Sequence, residues 1–307
     1  MLSDNVSTLT RSERDVTYYS RKKTYPDGSW EVLAATRPIF REAGWELSDL
    51  SDSYAQRVRS DSEHTKNSAA NAARSRRRAA ARMRDYALCT DFRFFVTLTF
   101  SAESVNRYDI GGIVKRIRAW LDNRVRRKGL SYILVPEHHK DGAVHFHGFF
   151  SDCDIGFVDS GTLDADGWRR PRKPRSQQER MRLLSEGARI VYNISDWSYG
   201  FTTAIELYGE RAAAVGYCTK YLTKQTDKIG GRWYYSGGAL KTPVVTFWDW
   251  SYYDVLEACP DAYAFEVEGA NLGLVITRGV GKILDLGAEG CQNPNLQFSE
   301  CQIEEKT

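Results

Sequence analysis

The sequence has no run of roughly 18–20 consecutive apolar residues, the length that a membrane-spanning helix requires. Its opening stretch, MLSDNVSTLTRSERD, lacks the apolar core of a secretory signal peptide. The six cysteines lie far apart without a C-x-x-C pair, so their spacing suggests neither a zinc ribbon nor a dense disulfide framework. We therefore expect a protein of the reducing cytoplasm, with no membrane partner.

Acidic residues are scarce in two stretches, although the net charge is only +3. Residues 56–84 hold nine Arg or Lys and two acids, and residues 168–182 hold seven Arg or Lys and one acid. Residues 254–307 are the reverse, with ten acids and three bases. Such blocks indicate a polyanionic partner, although a basic run can also be a solvated surface. The candidate nucleic-acid contacts are Arg74, Arg76, Arg77, Arg78, Arg82, Arg169, Arg170, Arg172 and Lys173.

Local patterns predict an alternation of helices and strands through the middle of the chain. The Ala/Arg-rich stretch 66–87 has no Gly or Pro and favours a helix, and FRFFVTLTF (92–100) alternates as a strand does. Further predictions are a helix at 108–128, strands at 131–137, 142–150 and 197–207, a helix at 210–224, and two strands within 232–250. This order predicts an α+β fold, with a central antiparallel sheet of about five strands and helices packed on one face.

Composition also predicts how the chain is divided. We expect an N-terminal extension at 1–65, one domain at 66–253, and an acidic C-terminal tail at 254–307. Within the domain, the basic helix at 66–87 comes first, and residues 151–195 form an insertion that carries the second basic block.

Two histidines stand one residue apart in the predicted strand GAVHFHGFF. Because side chains alternate along a strand, His145 and His147 project together, while Val144 and Phe146 point to the opposite face. Paired imidazoles on a rigid strand can share one divalent cation. The alternative is a pair of surface histidines without a metal.

A carboxylate lies one short turn before this pair. Glu137 ends the preceding predicted strand and could add an oxygen ligand. Two nitrogen ligands and one oxygen ligand leave positions open for phosphate and water, which suits Mg²⁺ or Mn²⁺ better than a closed structural zinc site. His138 and His139 fall in the turn, and we expect them to be bystanders.

The stretch GYCTKYLTK (216–224) places tyrosines and lysines together on the predicted helix. At about 100° per residue, one arc contains Tyr217, Lys220, Tyr221 and Lys224. Val215, Cys218 and Leu222 occupy the other side and can pack on the sheet. An amphipathic surface helix with partly buried tyrosines is the structural interpretation.

A chemical interpretation follows if this helix meets the metal. A tyrosine phenol has a pKa near 10, so a nearby cation is needed to favour the nucleophilic phenolate. The phenolate can attack a phosphodiester in line and form a covalent phosphotyrosine, while lysines counter the developing charge. Because one phosphoester replaces another, such an enzyme can both nick and rejoin.

These motifs together resemble the HUH endonucleases, specifically the rolling-circle replication initiators of small single-stranded DNA phages and plasmids. The resemblance covers roughly residues 70–250 and rests on FVTLTF, E…HFH and Y-x-x-K-Y-x-x-K in the family's order. The tyrosine follows the histidines, as in Rep proteins, whereas relaxases of the same superfamily place it ahead of them. The doubled tyrosine is similar to that of initiators in which two tyrosines alternate.

The resemblance implies roles for individual residues. His145 and His147 become metal ligands with Glu137 as the third, Tyr217 the leading nucleophile, and Tyr221 the second, and Lys220 and Lys224 match the motif's lysines. The implied activity is site-specific nicking and joining of single-stranded DNA at a replication origin, which leaves a free 3′-OH and a 5′-phosphotyrosine. No G-x-x-x-x-G-K-[ST] helicase motif occurs. A helicase and a DNA polymerase of a bacterial host are therefore the implied partners, in the host cytoplasm and without a small-molecule cofactor.

Three alternatives remain open at this level. A two-tyrosine HUH transposase would use the same chemistry, a catalytically inactive DNA-binding protein could keep the fold, and a structural-metal protein would need the cation only to fold. Trp233, Tyr234 and Tyr235 could stack on unpaired bases or pack in the core.

Overall fold

The computed structural model describes residues 17–41, 68–139, 141–207, 211–267 and 270–280. The chain divides into two compact units, a central unit of residues 61–243 and a terminal unit of residues 1–60 with 244–307. The helices of the described residues are α1 (Ser68–Cys89), α2 (Ile110–Lys128), α3 (Gln177–Ser185), α4 (Arg211–Lys224) and α5 (Tyr252–Ala258).

Most strands of the central unit lie where alternation or apolar runs predict them. They are β5 (Phe92–Phe100), β6 (Tyr132–His138), β7 (Val144–Ser151), β8 (Phe157–Asp164), β9 (Arg189–Ile194), β10 (Gly200–Glu206) and β11 (Tyr235–Gly237). They form one seven-stranded sheet in the order β11-β6-β7-β5-β10-β9-β8. Every neighbouring pair is antiparallel, which confirms the predicted α+β class.

The sheet is wider than the predicted five strands because residues 151–195 contribute to it. Strand β9 pairs with β10, and β8 pairs with β9 through a register shift between Asp159 and Thr162. The segment predicted as an insertion therefore continues the sheet at one edge and adds α3 between its two strands.

Helix α2 covers one face of this sheet. Its Ile113, Ile117 and Leu121 are buried in one cluster with inward-facing strand residues such as Leu98 and Phe146. The helix ends at Gly129, whose positive φ of 69° suits a residue without a side chain. This face is the main core of the central unit.

The opposite face is also partly covered, which differs from the prediction of helices on one face only. Ile133, Val135 and Phe149 lie on that face and are buried, and α4 contacts both β6 and α1. The physical reason is the composition of β6, whose residues from Tyr132 to Pro136 are all buried. A nearly continuous apolar run is typical of a strand that is covered on both sides.

The described terminal unit combines strands from both ends of the chain. Its strands are β1 (Thr17–Tyr18), β2 (Ser20–Thr24), β3 (Ser29–Ala35), β4 (Phe40–Arg41), β12 (Val244–Trp248), β13 (Tyr263–Val267) and β14 (Leu272–Val280). Five of them form an antiparallel sheet in the order β12-β2-β3-β14-β13, and β1 pairs with β4.

This unit differs from the predicted extension and tail. Strand β14 lies centrally against β3, where Leu274 and Val275 bury side chains on opposite faces. The acidic composition of 254–307 concealed this strand, because the acids concentrate outside it. Most of the predicted tail, residues 281–307, and the predicted start of the basic helix at 66–67 lie outside the described residues.

None of the helices in the described parts of the chain is long and apolar enough to span a membrane.

Candidate active site

The two histidines lie at the middle of the sheet, on the face opposite α2. Strand β7 pairs on one side with β5, where His145 faces Thr99 and His147 faces Thr97. On its other side it pairs with β6, where His145 faces Glu137. Since directly paired residues project to the same face, three neighbouring strands present polar side chains together. The intervening Phe146 is fully buried on the α2 face, as the alternation predicts.

A threonine fixes each imidazole ring. Nδ1 of His145 lies 3.0 Å from Oγ1 of Thr99, and Nδ1 of His147 lies 3.0 Å from Oγ1 of Thr97. A hydroxyl can donate or accept, so it can satisfy Nδ1 in either neutral tautomer of the ring. These pairs direct Nε2 of both rings away from β5, where a further partner can reach them.

Glu137 completes a group of three on this face. Its Oε2 lies 3.3 Å from Nε2 of His147. Burial raises the pKa of the Glu137 carboxyl above its usual value, and the positive charge of Lys224 partly opposes that rise. Burial lowers the pKa of His147 to about 4, so this ring is uncharged at neutral pH despite the nearby carboxylate. Burial lowers the pKa of His145 as well.

These residues line a cleft of about 260 Å³ together with His138 and His139. The ring of His139 lies 4.9 Å from that of His145, centroid to centroid, so the structure brings this predicted bystander to the site. His138 instead points Nδ1 at the carbonyl oxygen of Gly142, 3.2 Å away, within the turn.

The donor set suits a divalent cation in its chemistry. Neutral imidazoles and a carboxylate are the ionisation states that ligate metals, and the threonine pairs supply the outer hydrogen bonds that orient ligating histidines. The rings of His145 and His147 are nearly parallel, 6.4 Å apart. Among the described residues, no three His, Cys, Asp or Glu side chains are already gathered as a metal-ligating group. Binding would therefore require the rings to tilt toward a common point.

Helix α4 carries the predicted tyrosines on the side away from its packed residues. Val215, Cys218 and Leu222 are buried, as the helical spacing predicts, and Lys220 and Lys224 are exposed. Positions 217 and 221 fall on the same arc as the two lysines. The side chains of both tyrosines lie outside the described part of the structure.

The end of α4 is fixed beside the cleft. The side-chain amide of Gln225, the residue after the helix, donates to the carbonyl oxygen of Pro136, which precedes Glu137. The guanidinium of Arg76 in α1 donates to the carbonyl oxygen of Gln225. These bonds, with the effect of Lys224 on Glu137, place the last turn of α4 next to the carboxylate of the site.

The predicted nucleic-acid contacts fall into two groups. Helix α1 carries Arg74, Arg76, Arg77, Arg78 and Arg82, of which Arg76 is half-buried and the others are exposed. The loop between β8 and α3 carries the exposed Arg169, Arg170, Arg172 and Lys173. The guanidinium of Arg172 lies over the ring of Trp168, 4.6 Å from its centroid.

The aromatic residues proposed as base platforms are largely internal. Trp233 and Tyr235 are buried, and their polar atoms donate to Ser75 Oγ and to the carbonyl oxygen of Ile229. Tyr234 is half-buried. Core packing is therefore what the structure favours for Trp233 and Tyr235.

Sequence reasoning did not single out Thr97, Thr99 or Gln225. The alternation of FVTLTF already placed both threonines on the face away from Phe94 and Leu98, and that face was the available signal. Gln225 gave no signal, because its role depends on where α4 ends in space relative to β6.

Residues 93–226 match the sequence model of a family described as replication-associated protein, of the ORF2 type. The matched segment contains the histidine strand β7 and helix α4. The match supports a replication-associated protein with a role in the initiation of replication. No curated protein and no solved structure matches the chain.

Proposed function

We propose that this protein is an HUH-type endonuclease that nicks and rejoins single-stranded DNA at a replication origin to start rolling-circle replication. One observation carries the proposal: the cleft of Glu137, His145 and His147 adjoins the last turn of the tyrosine-bearing helix α4, close enough for Lys224 to act on Glu137. The family match over residues 93–226 supports the same role in replication.

The chemical step transfers a phosphoryl group from DNA to a tyrosine. The phenol oxygen of Tyr217 loses its proton to solvent and bonds to phosphorus, while the bond from phosphorus to the 3′ oxygen breaks and that oxygen takes up a proton. The products are a 5′-phosphotyrosine and a free 3′-OH for a polymerase. Tyr221 would repeat the reaction on the next strand. Lys220 and Lys224 counter charge on the phosphate in this scheme.

Glu137, His145 and His147 would hold a divalent cation, Mg²⁺ or Mn²⁺, which when bound supplies positive charge to the phosphate oxygens. The threonines keep both imidazoles oriented before any ligand arrives, so little ordering remains to be done on binding. The arginines of α1 and of the 168–175 loop would contact DNA phosphates, making affinity strongly salt-dependent. Unwinding and synthesis would fall to a host helicase and polymerase.

Covalent trapping tests the proposal. The protein is incubated with single-stranded DNA from its own replicon and Mn²⁺, and a protein–DNA adduct that survives denaturation is sought on a gel. We expect the adduct in the unmodified protein and its loss in Tyr217→Phe with Tyr221→Phe. Tyr253→Phe is the matched control, because Tyr253 is an exposed tyrosine of the terminal unit, and it should leave the adduct unchanged.

Persistence of the adduct in the double variant would overturn the assignment of the nucleophile. Failure of the unmodified protein to form an adduct while still binding the DNA would instead identify an inactive DNA-binding protein on this fold. Joining of transposon ends rather than circular replication would identify a transposase.

A further inference from the structure

An aromatic residue lies in line with the metal-ligand candidates across the sheet. Strand β10 pairs with β5 so that Phe201 faces Thr99, and Thr99 in turn faces His145 on β7. His145 faces Glu137 on β6. One row of four paired residues therefore runs across four strands on the histidine face, from Glu137 to Phe201. Two strand spacings, about 10 Å, separate the backbones of His145 and Phe201.

The sheet is open to solvent where this row ends. Phe201 is 73% exposed, and Thr203, the next residue of β10 on the same face, is also exposed. Over β6 and β7 the same face is different, because Val135 and Phe149 are buried there. The open surface of β10 is thus a floor that continues outward from the cleft.

The backbone under Phe201 is closely packed. Gly200, which begins β10, has φ of 154° and lies so near the Thr99 carbonyl that a side chain there would collide with it. Thr202, on the core face, accepts a hydrogen bond from the backbone N–H of Ile194, 2.8 Å away. A strand fixed on both sides in this way holds the exposed ring in one place beside the cleft. An isolated exposed phenylalanine needs no explanation, but one in register with the candidate ligands offers a flat apolar surface at the site.

We propose that Phe201 is a base-stacking platform, on which a base of the single strand adjacent to the cleaved phosphate rests. This inference depends on the proposed function, because it assigns the binding position of that same substrate. An aromatic ring accepts the flat face of any base, and each such stack contributes on the order of 1–3 kcal/mol, or roughly 5- to 150-fold in affinity. The ring would fix the path of the strand across β5 toward the cleft, rather than recognise sequence.

A cycle of protein and DNA changes tests the platform. Affinity for a single-stranded oligonucleotide containing the nick site is measured by fluorescence anisotropy, with one abasic position moved along the strand. With the unmodified protein, we expect one position near the nick where loss of the base weakens binding roughly 5- to 150-fold. With Phe201→Ala, intact DNA should bind as weakly as that abasic strand, and the abasic change should then cost nothing more.

Two further variants separate stacking from other causes. Phe201→Trp keeps an aromatic surface and should restore both the affinity and the sensitivity to the abasic position. Tyr263→Ala removes a similarly exposed aromatic side chain, 68% accessible, from the terminal unit and should bind like the unmodified protein.

The outcomes distinguish this inference from the proposed function. If the adduct forms normally and Phe201→Ala leaves affinity and the abasic profile unchanged, the platform is wrong and the nickase stands. If Phe201→Ala weakens binding equally at every abasic position, the ring contributes without stacking on a defined base, which also overturns the platform. If no DNA adduct forms in the unmodified protein, the proposed function itself fails.

Discussion

The two faces of strand β7 differ in what their side chains contact. On one face, Phe146 packs edge-to-face against Phe100 and Tyr235 in a core where each of these residues is at most 3% exposed. On the other face, His145 and His147 contact threonines, a carboxylate and an open cleft. Adjacent residues of one strand thus belong to different environments, the first concerned with folding and the second available for chemistry.

This difference separates stability from activity more cleanly than a site on loops would. A residue on the α2 face can be changed only at the expense of packing, whereas a residue on the histidine face can be changed with little loss of buried apolar surface. The four predictions that follow test whether the separation holds.

The largest effect is expected from Phe146→Ala. It empties a fully buried aromatic position and should lower the free energy of unfolding by about 3–5 kcal/mol, measured by urea denaturation. The neighbouring His147→Ala should change that free energy by about 1 kcal/mol, since it removes one hydrogen bond to Thr97, yet abolish nicking. Equal destabilisation by both variants would break the comparison.

The second prediction concerns pH. The pKa of His147 is about 4 in the folded protein, below its usual value of 6.5, so between these limits the unfolded chain binds a proton that the folded chain does not. Stability without metal should therefore fall as pH falls from 6.5 toward 4, by at most about 3 kcal/mol. Denaturation across this range checks it. His147→Gln should flatten the dependence, and an identical slope in that variant would contradict the assignment.

A smaller effect is expected when both threonines lose their hydroxyls. Thr97→Val with Thr99→Val keeps the side-chain shape but leaves each Nδ1 without its partner, which should weaken Mn²⁺ binding about 10- to 100-fold. Isothermal titration calorimetry measures this. Thr203→Val, an exposed threonine on the same face, is the matched control and should bind Mn²⁺ normally. Unchanged affinity in the double variant would show that the threonines do not orient the ligands.

The smallest effect is expected from Lys224→Gln. Loss of this positive charge removes the influence that opposes the raised pKa of Glu137, so the pKa rises further and the carboxylate becomes protonated at higher pH. The acid limb of the pH–rate profile for nicking should move to higher pH. Lys220→Gln, also an exposed lysine of α4, should leave the limb in place. A limb that moves equally in both variants would indicate a general charge effect.

Local pattern was enough to predict the strands and helices that form the site. The alternation in FRFFVTLTF and VHFHGFF correctly assigned residues to the two faces, because one side of each strand must be apolar to pack on α2. The same reasoning placed Val215, Cys218 and Leu222 on the packed side of α4, where they are buried.

Long-range pairing could not be predicted in this way. Nothing local in residues 29–35 specifies β14 as a neighbour, and nothing in residues 157–164 shows that β8 extends the main sheet. Register across strands is also invisible to periodicity, which is why the row that joins Glu137 to Phe201 emerged only from the structure. The contact of Gln225 with Pro136 depends on the same tertiary arrangement.

The sheet of the terminal unit has a consequence for the order of events during translation. Ala35 pairs with Leu274, so a nascent chain must be synthesised past the whole of the central unit before these partners can meet. The seven-stranded sheet needs nothing beyond residue 237 and can close earlier. A ribosome that stopped after residue 243 would therefore release a product with every strand of the histidine cleft, but with β2 and β3 left exposed to aggregation and proteolysis.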